Sequence, residues 1–217
     1  TLDRSSAASD VYKRQPLQRR ESAARRMAAA LGYNECVTYS FIDQAAAALF
    51  GGGSDAVRIE NPISSEMTHM RPDLLPGLLA AAARNQARGF MDLALFECGP
   101  VFSGGEPGEQ DLHLTAIMVG HTAPRDPFAS RRKVDIYDAK ADAEAVLAQI
   151  GAPAKAQINR KLDGWWHPGR AGNIALGPNT LATFGEIHPR VLRHFGIKGA
   201  AVGFTPVSYT HLTLPTS

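Results

Sequence analysis

Cysteine is scarce in this chain of 217 residues, which contains only Cys36 and Cys98. Both lie in apolar runs that resemble strands, and neither belongs to a Cys-x-x-Cys or Cys/His pattern with the spacing of zinc ligands. The sequence therefore excludes a disulfide framework and a zinc module. We expect two buried thiols in a reducing compartment.

Long apolar runs and a strong net charge are also missing. No stretch of about eighteen apolar residues is present, as a membrane-spanning helix requires, and no secretory signal peptide is recognisable. The formal net charge is only +2, which argues against a dominant surface for nucleic acid. The glycines of Gly51 to Gly53 are not followed by the Gly-Lys-Ser/Thr of a phosphate-binding loop. We expect a cytoplasmic protein without a membrane contact.

The two ends of the chain differ from its middle. Thr1 to Gln15 and Pro206 to Ser217 lack amphipathic periodicity and resemble translated adapter sequence joined to open reading frames in metagenomic assemblies. We interpret both as non-native tails, with disordered native termini as the alternative. Residues 16–205 then form one domain.

The middle of the chain predicts an α+β domain with a mainly antiparallel sheet flanked by helices, because its strands cluster without regular βαβ alternation. Apolar spacing and Pro/Gly signals predict four helices. They are Leu17 to Leu31, Leu75 to Arg88, Ala139 to Ile150 and one that starts at Pro189. The predicted strands are Leu93 to Phe102, Leu112 to Val119, Val134 to Tyr137, Ala156 to Arg160, Ala171 to Leu176 and Leu181 to Ile187.

Several histidines are candidates for chemistry. His167 and His188 each precede a proline, which favours extended backbone at a strand end. Glu186 near His188 suggests an acid/base pair, but no Ser or Cys nucleophile accompanies it, so we favour a turn-forming role. His69 has no partner at metal-ligand spacing. The sequence therefore predicts no catalytic, cofactor-binding or metal-binding residue in this segment.

Four stretches together resemble one protein family. They are Ala30 to Phe41 (ALGYNECVTYSF), Asn61 to Glu66 (NPISSE), Met70 to Leu79 (MRPDLLPGLL) and Leu95 to Phe102 (LFECGPVF). Their order resembles the β subunit of bacterial phenylalanine–tRNA ligase, in the domain that has a class II aminoacyl-tRNA synthetase-like fold. The resemblance extends over nearly all of Leu17 to Phe204.

An active class II enzyme differs at two positions. Its motif 2 strand carries an arginine just after a terminal phenylalanine, which binds the ATP phosphate and the carboxylate being activated. Here Phe102 is followed by Ser103, and the nearby acidic residue has moved to Glu106. The end that corresponds to motif 3, Phe195 to Phe204, contains glycines but no arginine. The resemblance therefore implies a non-catalytic copy of the fold.

The family implies the wider function. Its α subunit activates phenylalanine with ATP and magnesium and charges tRNA(Phe), and the β domain pairs with α in an α2β2 heterotetramer. We expect no cofactor on this segment, and contact with tRNA only through the whole complex. Two alternatives stay open: a catalytically active class II domain, and a stand-alone tRNA-binding or regulatory paralogue.

The resemblance also places an interface. Ala30 to Phe41 corresponds to class II motif 1, an element that packs subunits together, and the segment Asn61 to Arg71 is a further candidate. Apolar residues of the first helix lie on one face and arginines mostly on the other. The predicted interface residues are Leu17, Arg20, Ala24, Met27, Leu31, Tyr39, Phe41 and Arg71.

Overall fold

The structure is a computed structural model that describes residues 18–106, 108–123, 127–128, 131–160 and 162–206. The predicted tails at 1–15 and 207–217 lie outside the described residues. Pro206, which we had placed in the second tail, is the last residue of a strand.

The described elements follow one another in this order. The helices are α1 (residues 18–30), α2 (Gln44–Leu49), α3 (Leu75–Ala87), α4 (Ile136–Gln149) and α5 (Pro189–Phe195), with a short 3₁₀ turn at Asp55–Val57. The strands are β1 (Asn34–Glu35), β2 (Phe41–Ile42), β3 (His69–Met70), β4 (Leu93–Phe102), β5 (Gln110–Val119), β6 (Gln157–Asn159), β7 (Trp166–Leu176), β8 (Asn179–Ile187) and β9 (Ala201–Pro206).

Seven of these strands form one sheet in the order β1-β4-β5-β9-β8-β7-β6. Only the β1 and β4 pair is parallel, and all other pairs are antiparallel. The longest pair joins β4 to β5 without a register shift, from Leu93 opposite Val119 to Phe102 opposite Gln110. The predicted α+β class with a mainly antiparallel sheet is confirmed.

Helices cover both faces of this sheet, because alternate strand residues point to opposite sides. On one face Phe96, Phe184 and Phe204 pack with the small residues of α1 and with α4. On the other face Leu95 and Ile117 pack with α3 and α5. The result is a three-layer arrangement with an apolar core on each side of the sheet.

Local signals explain α3 and α5. Each has proline in its first turn, where the missing N–H costs no helical hydrogen bond. Gly89 follows α3 with φ +96°, and Gly196 caps α5 with φ +70°, a region that favours glycine. The predicted α3 is one residue too long at its end, and the predicted start of α5 at Pro189 is confirmed.

One predicted strand is wrong. Val134 to Tyr137 is not a strand, because α4 already begins at Ile136. Asp135 caps that helix by accepting from the backbone N–H of Tyr137 and Asp138, and the side chain of Asp138 accepts from the N–H of Asp135 in return. The apolar run from Cys36 to Phe41 is likewise no continuous strand, since only Asn34–Glu35 and Phe41–Ile42 pair.

Cys36 and Cys98 are free thiols, and each is partly rather than fully buried. Burial raises the pKa of Cys98 to about 12, so this thiol stays protonated. No helix in the described ranges has the length and apolar character needed to cross a membrane.

Asp73, a buried carboxyl group at the start of α3, makes the stability of the domain depend on pH. Burial, followed by repulsion from Asp163, raises the pKa of Asp73 from 3.8 to about 6, although its side chain accepts from the N–H of Leu75 at 2.7 Å. The folded state therefore holds this proton more tightly than the unfolded state, and ionisation costs stability as pH rises from about 4 to above 6.

We expect Asp73→Asn to stabilise the domain at pH 7.5 by at most about 3 kcal/mol, and to leave its stability nearly unchanged at pH 4. Asparagine keeps the oxygen that accepts from the N–H of Leu75 but carries no charge. Urea unfolding at the two pH values measures the difference, with Asp55→Asn at an exposed site as the matched control. A gain of equal size at both pH values would contradict this account.

Candidate functional site

The segment between β1 and β2 presents an apolar surface. Val37 is 93% exposed, Tyr39 is 72% exposed and Phe41 is 37% exposed, whereas Thr38 between them points inward. We call Val37, Tyr39 and Phe41 the apolar strip. Three large apolar side chains in one exposed run are typical of a surface that another protein covers.

A cavity of about 560 Å³ opens beside the apolar strip, and the three strip residues line it. Its floor is mostly apolar, with Pro76 and Ala80 of α3. Charged side chains also line it, namely Asp43, Glu66 and Arg84. The cavity can therefore accept an apolar side chain whose neighbours make polar contacts at the rim.

A buried ion pair holds the strip from below. Arg71 Nη1 donates to Glu97 Oε1 at 2.7 Å, and both side chains are almost fully buried, at 2% and 3% exposed. Arg71 Nε donates to the carbonyl of Pro100 at 2.9 Å. The guanidinium thus fixes β3 against the middle of β4.

Thr38 joins this ion pair to the apolar strip. Its hydroxyl donates to Glu97 Oε2 at 2.7 Å and accepts from Arg71 Nη1 at 3.0 Å, while its backbone N–H donates to Glu97 Oε1 at 3.2 Å. The backbone N–H of Arg71 donates to the carbonyl of Ser40 at 2.9 Å. Because these bonds fix the backbone on the inner side, Val37 and Tyr39 are held outward in one conformation.

Two glycines make room for this network. A Cβ atom on Gly77 would lie within overlap distance of the Thr38 hydroxyl, and a Cβ atom on Gly99 would lie 2.6 Å from Arg71 Nη2. A side chain at Gly77 or Gly99 would therefore require the Arg71, Glu97 and Thr38 network to move. Gly77 also brings α3 against the strip segment, so the helix and the ion pair support the same surface.

The turn after β4 was the predicted point of difference from active class II enzymes. Ser103 N and Oγ both donate to the carbonyl of Glu109, at 2.9 and 3.1 Å, which closes the β4–β5 turn. Glu109 accepts from the N–H of Glu106 at 3.0 Å. Ser103 and Glu106 therefore serve the turn.

A cavity of about 290 Å³ lies beside Ser103, and its residues do not fit the triphosphate of ATP. Its described lining contains Asp111 and His113 but no arginine or lysine. Burial lowers the pKa of His113, so the imidazole is neutral at pH 7. A site without a fixed cation and with a carboxylate repels a polyanion.

The histidines take the structural roles that we favoured. His167 Nδ1 accepts from the N–H of Gly169 at 3.2 Å, and His188 Nδ1 accepts from the N–H of Arg190 at 3.1 Å. Glu186 pairs with Arg170 at 2.8 Å and not with His188. The described residues include no group of three or more His, Cys, Asp or Glu side chains that is arranged to hold a metal ion.

Residues 4–205 match the family of the phenylalanyl tRNA synthetase beta chain CLM domain. The chain belongs to this family.

Three curated relatives support the assignment. Proteins named phenylalanine–tRNA ligase beta subunit are 76% identical in Cereibacter sphaeroides, 70% identical in Ruegeria pomeroyi and 50% identical in Rhodospirillum rubrum. Each match extends over 190 residues and covers 87 or 88% of this chain but only 24% of the relative. The chain therefore spans about a quarter of the length of these β subunits.

A pyrrolysyl tRNA synthetase from Desulfitobacterium hafniense has a similar fold. The two structures agree with a TM-score of 0.63 at 16% sequence identity, over 88% of this chain and 65% of that chain. The CLM-family chain thus has the predicted class II synthetase-like fold. At this identity the likeness concerns the fold alone.

The predicted interface residues lie in different surroundings. Arg20, Met27 and Leu31 are partly exposed, and Tyr39 and Phe41 belong to the apolar strip. Ala24 and Arg71 expose 0% and 2% of their surface, so they offer no direct contact and support neighbouring residues instead. Leu17 lies outside the described residues. For the exposed members the interface remains a prediction.

Sequence reasoning missed Val37, Thr38 and Glu97. A signal for Glu97 was present, since a carboxylate within an apolar strand needs a buried cationic partner. The sequence did not identify that partner, because Arg71 lies 26 residues away.

We expect Glu97→Gln to destabilise the CLM-family chain by about 3 to 5 kcal/mol, since the glutamine leaves the Arg71 charge buried without a counter-charge. Urea unfolding at pH 7 measures the loss. The matched control is Glu35→Gln, which removes an exposed ion pair to Arg25 and should cost less than about 1 kcal/mol. Equal effects of the two variants would contradict the anchoring role of Arg71 and Glu97.

Proposed function

We propose that this chain is the synthetase-like part of a phenylalanine–tRNA ligase β subunit and acts as a non-catalytic scaffold for the α subunit. In this proposal α activates phenylalanine with ATP and magnesium and charges tRNA(Phe), within a cytoplasmic α2β2 enzyme. Family membership and the names of the relatives support the proposal.

The apolar strip is the observation that carries the scaffold role. Its three side chains are large, exposed and held by a buried ion pair. A pre-fixed surface loses little conformational entropy when a partner covers it, and aromatic side chains contribute most of the contact energy in many interfaces. The strip also lies in the segment that resembles class II motif 1.

The lack of available cations near Ser103 argues against adenylate formation on this chain. An adenylate-forming site needs fixed cations where negative charge develops. The cavity beside Ser103 has none in its described lining, and Arg71 is already bound by Glu97, Thr38 and Pro100. We therefore assign ATP and magnesium to the α subunit.

The two alternatives differ in what they require. An active class II domain requires a cation near Ser103, and the described surroundings disfavour it. A stand-alone tRNA-binding or regulatory paralogue requires a gene without the other β-subunit domains. Sequencing the genomic flanks of the gene separates that alternative from the scaffold.

We expect Val37→Glu to weaken co-purification with a co-expressed α subunit by about tenfold or more, because a charge would replace an apolar contact at the most exposed residue of the strip. Circular dichroism and the melting temperature should stay at the parent values, since Val37 is 93% exposed. Val37 is a sharper probe than Met27, which packs partly against the core.

Ile158→Glu is the matched control for that experiment. Ile158 is also an exposed apolar residue, but it lies on β6 at the opposite edge of the sheet. This variant should retain the α subunit. If the two variants retained α equally well, the strip would not be the interface.

Phenylalanine-dependent pyrophosphate exchange should be undetectable with the purified chain, because no fixed cation is available for the charged groups of the adenylate. The αβ enzyme serves as the positive control in the same assay. Exchange by a preparation shown by mass spectrometry to be free of α would overturn the non-catalytic assignment.

A further inference from the structure

The cavity of about 560 Å³ beside the apolar strip extends along one face of α3. Pro76, Ala80 and Arg84 line it from that helix, and as every fourth residue they extend over about 12 Å of the helix axis. Phe195 of α5 adds an aromatic ring to the lining. The cavity is therefore long enough for an apolar contact in its middle and separate polar contacts at its two ends.

Arg84 lies at the end of the cavity where the apolar strip begins. Burial raises the pKa of the Cys36 thiol, followed by the charge of Glu97, whereas the charge of Arg84 acts in the opposite direction. Because such an effect falls off with distance, Arg84 lies close to Cys36. Val37 is the next residue in the chain and lines the same cavity. This end of the cavity is cationic.

Two carboxylates lie at the other end, where the apolar strip finishes at Phe41. Asp43 follows β2 directly and lines the cavity. Glu66 lies shortly before β3, and the N–H of Thr68 donates to the carbonyl of Ile42 at 3.1 Å, which brings the Glu66 segment against β2. This end of the cavity is anionic, so the charge at its rim is polarised.

The charges at the rim are available to a partner. Glu66 and Arg84 are both exposed, and neither takes part in an ion pair within the part of the chain that the structure describes. A partner that places an opposite charge at each end gains two favourable contacts, whereas one with the reverse order brings like charges together. The polarity therefore selects both the chemistry and the direction of the segment that fits.

We propose that this cavity receives an apolar side chain of the α subunit, from a segment that places an acidic residue against Arg84 and a basic residue against Glu66 and Asp43. The apolar floor and the strip enclose the anchoring side chain, and the charges at the two ends set the direction of the segment. The inference deepens the proposed function and rests on it, since α is the partner.

Filling the cavity tests the anchor. Ala80 is partly exposed and lines the cavity, so the indole of Ala80→Trp occupies the space that the anchor needs. We expect at least about tenfold weaker retention of a co-expressed α subunit. Ala87→Trp is the matched control, because Ala87 is exposed on the same helix outside the cavity lining and the change in helix propensity is the same. It should retain α like the parent, and both variants should keep the parent circular dichroism.

Charge reversal tests the two ends. Glu66→Lys and Arg84→Glu should each weaken retention of α roughly fivefold, with a smaller loss at high salt. Arg88→Glu is the control for Arg84, since Arg88 is exposed at the same end of α3 but does not line the cavity. Glu144→Lys is the control for Glu66, because Glu144 is exposed on α4, which packs on the opposite face of the sheet. Both controls should retain α like the parent.

The double variant Glu66→Lys/Arg84→Glu separates polarity from net charge. It has the net charge of the parent, but both ends now carry the wrong sign. We expect the two losses to multiply to roughly 25-fold, since the ends contact different groups of the partner. Retention equal to that of the parent would show that only net charge matters, and would overturn the proposal.

A photoreactive phenylalanine analogue in place of Tyr39 identifies the occupant in the co-expressed complex, with mass spectrometry of the cross-linked peptide. The expected product is an α segment with an apolar residue between an acidic and a basic one. Capture of a second copy of this chain, or of an α segment without those charges, would overturn the proposal. If Val37→Glu loses α while Ala80→Trp and both charge reversals retain it, the anchor model fails and the scaffold role stands. A parent chain that does not retain α defeats both.

Discussion

The buried ion pair between Arg71 and Glu97 is the constraint on which this end of the molecule depends. Burial of two charges is costly, and the cost is recovered only when every remaining donor and acceptor is satisfied in good geometry. The carbonyl of Pro100 and the hydroxyl of Thr38 supply those partners, and Gly77 and Gly99 supply the space. The short strand β3, the long strand β4, the entry of α3 and the apolar strip are therefore fixed relative to one another by a single cluster.

The sheet then separates two chemically different surfaces. Both of its faces are covered by helices, so exposed functional groups lie at the edges and ends of strands. Between β1 and β2 the apolar side chains of Val37 and Tyr39 are exposed. Near β6 the exposed residues are of mixed character, with Arg160 and Asp163 close to the apolar Ile158. An apolar surface suits a protein partner, and the mixed surface at the far edge of the sheet lacks that character.

The sequence predicted what local signals determine and missed what depends on distant contacts. Helix α3 has proline at its start, a left-handed glycine after its end and regular apolar spacing, so its bounds were predicted almost to the residue. The apolar run at Val134 gave the opposite result, because the helix cap at Asp135 outweighed a weak strand pattern. Arg71 was expected to contact a partner because the resemblance made the segment Asn61 to Arg71 a candidate interface, yet Glu97 lies against it in the fold. Periodicity carries no information about such a pair.

The use of arginine agrees with the proposed non-catalytic role of this synthetase-like fold. A catalytic arginine must stay available to a ligand, so its protein partners hold it in place but leave part of the guanidinium group free. Arg71 donates to Glu97, Thr38 and Pro100 and is almost fully buried, so its charge serves packing alone. At the turn after β4, Ser103 closes a hairpin with its hydroxyl, a role that needs no charge. The rigidity of the Arg71, Glu97 and Thr38 network holds the apolar strip outward.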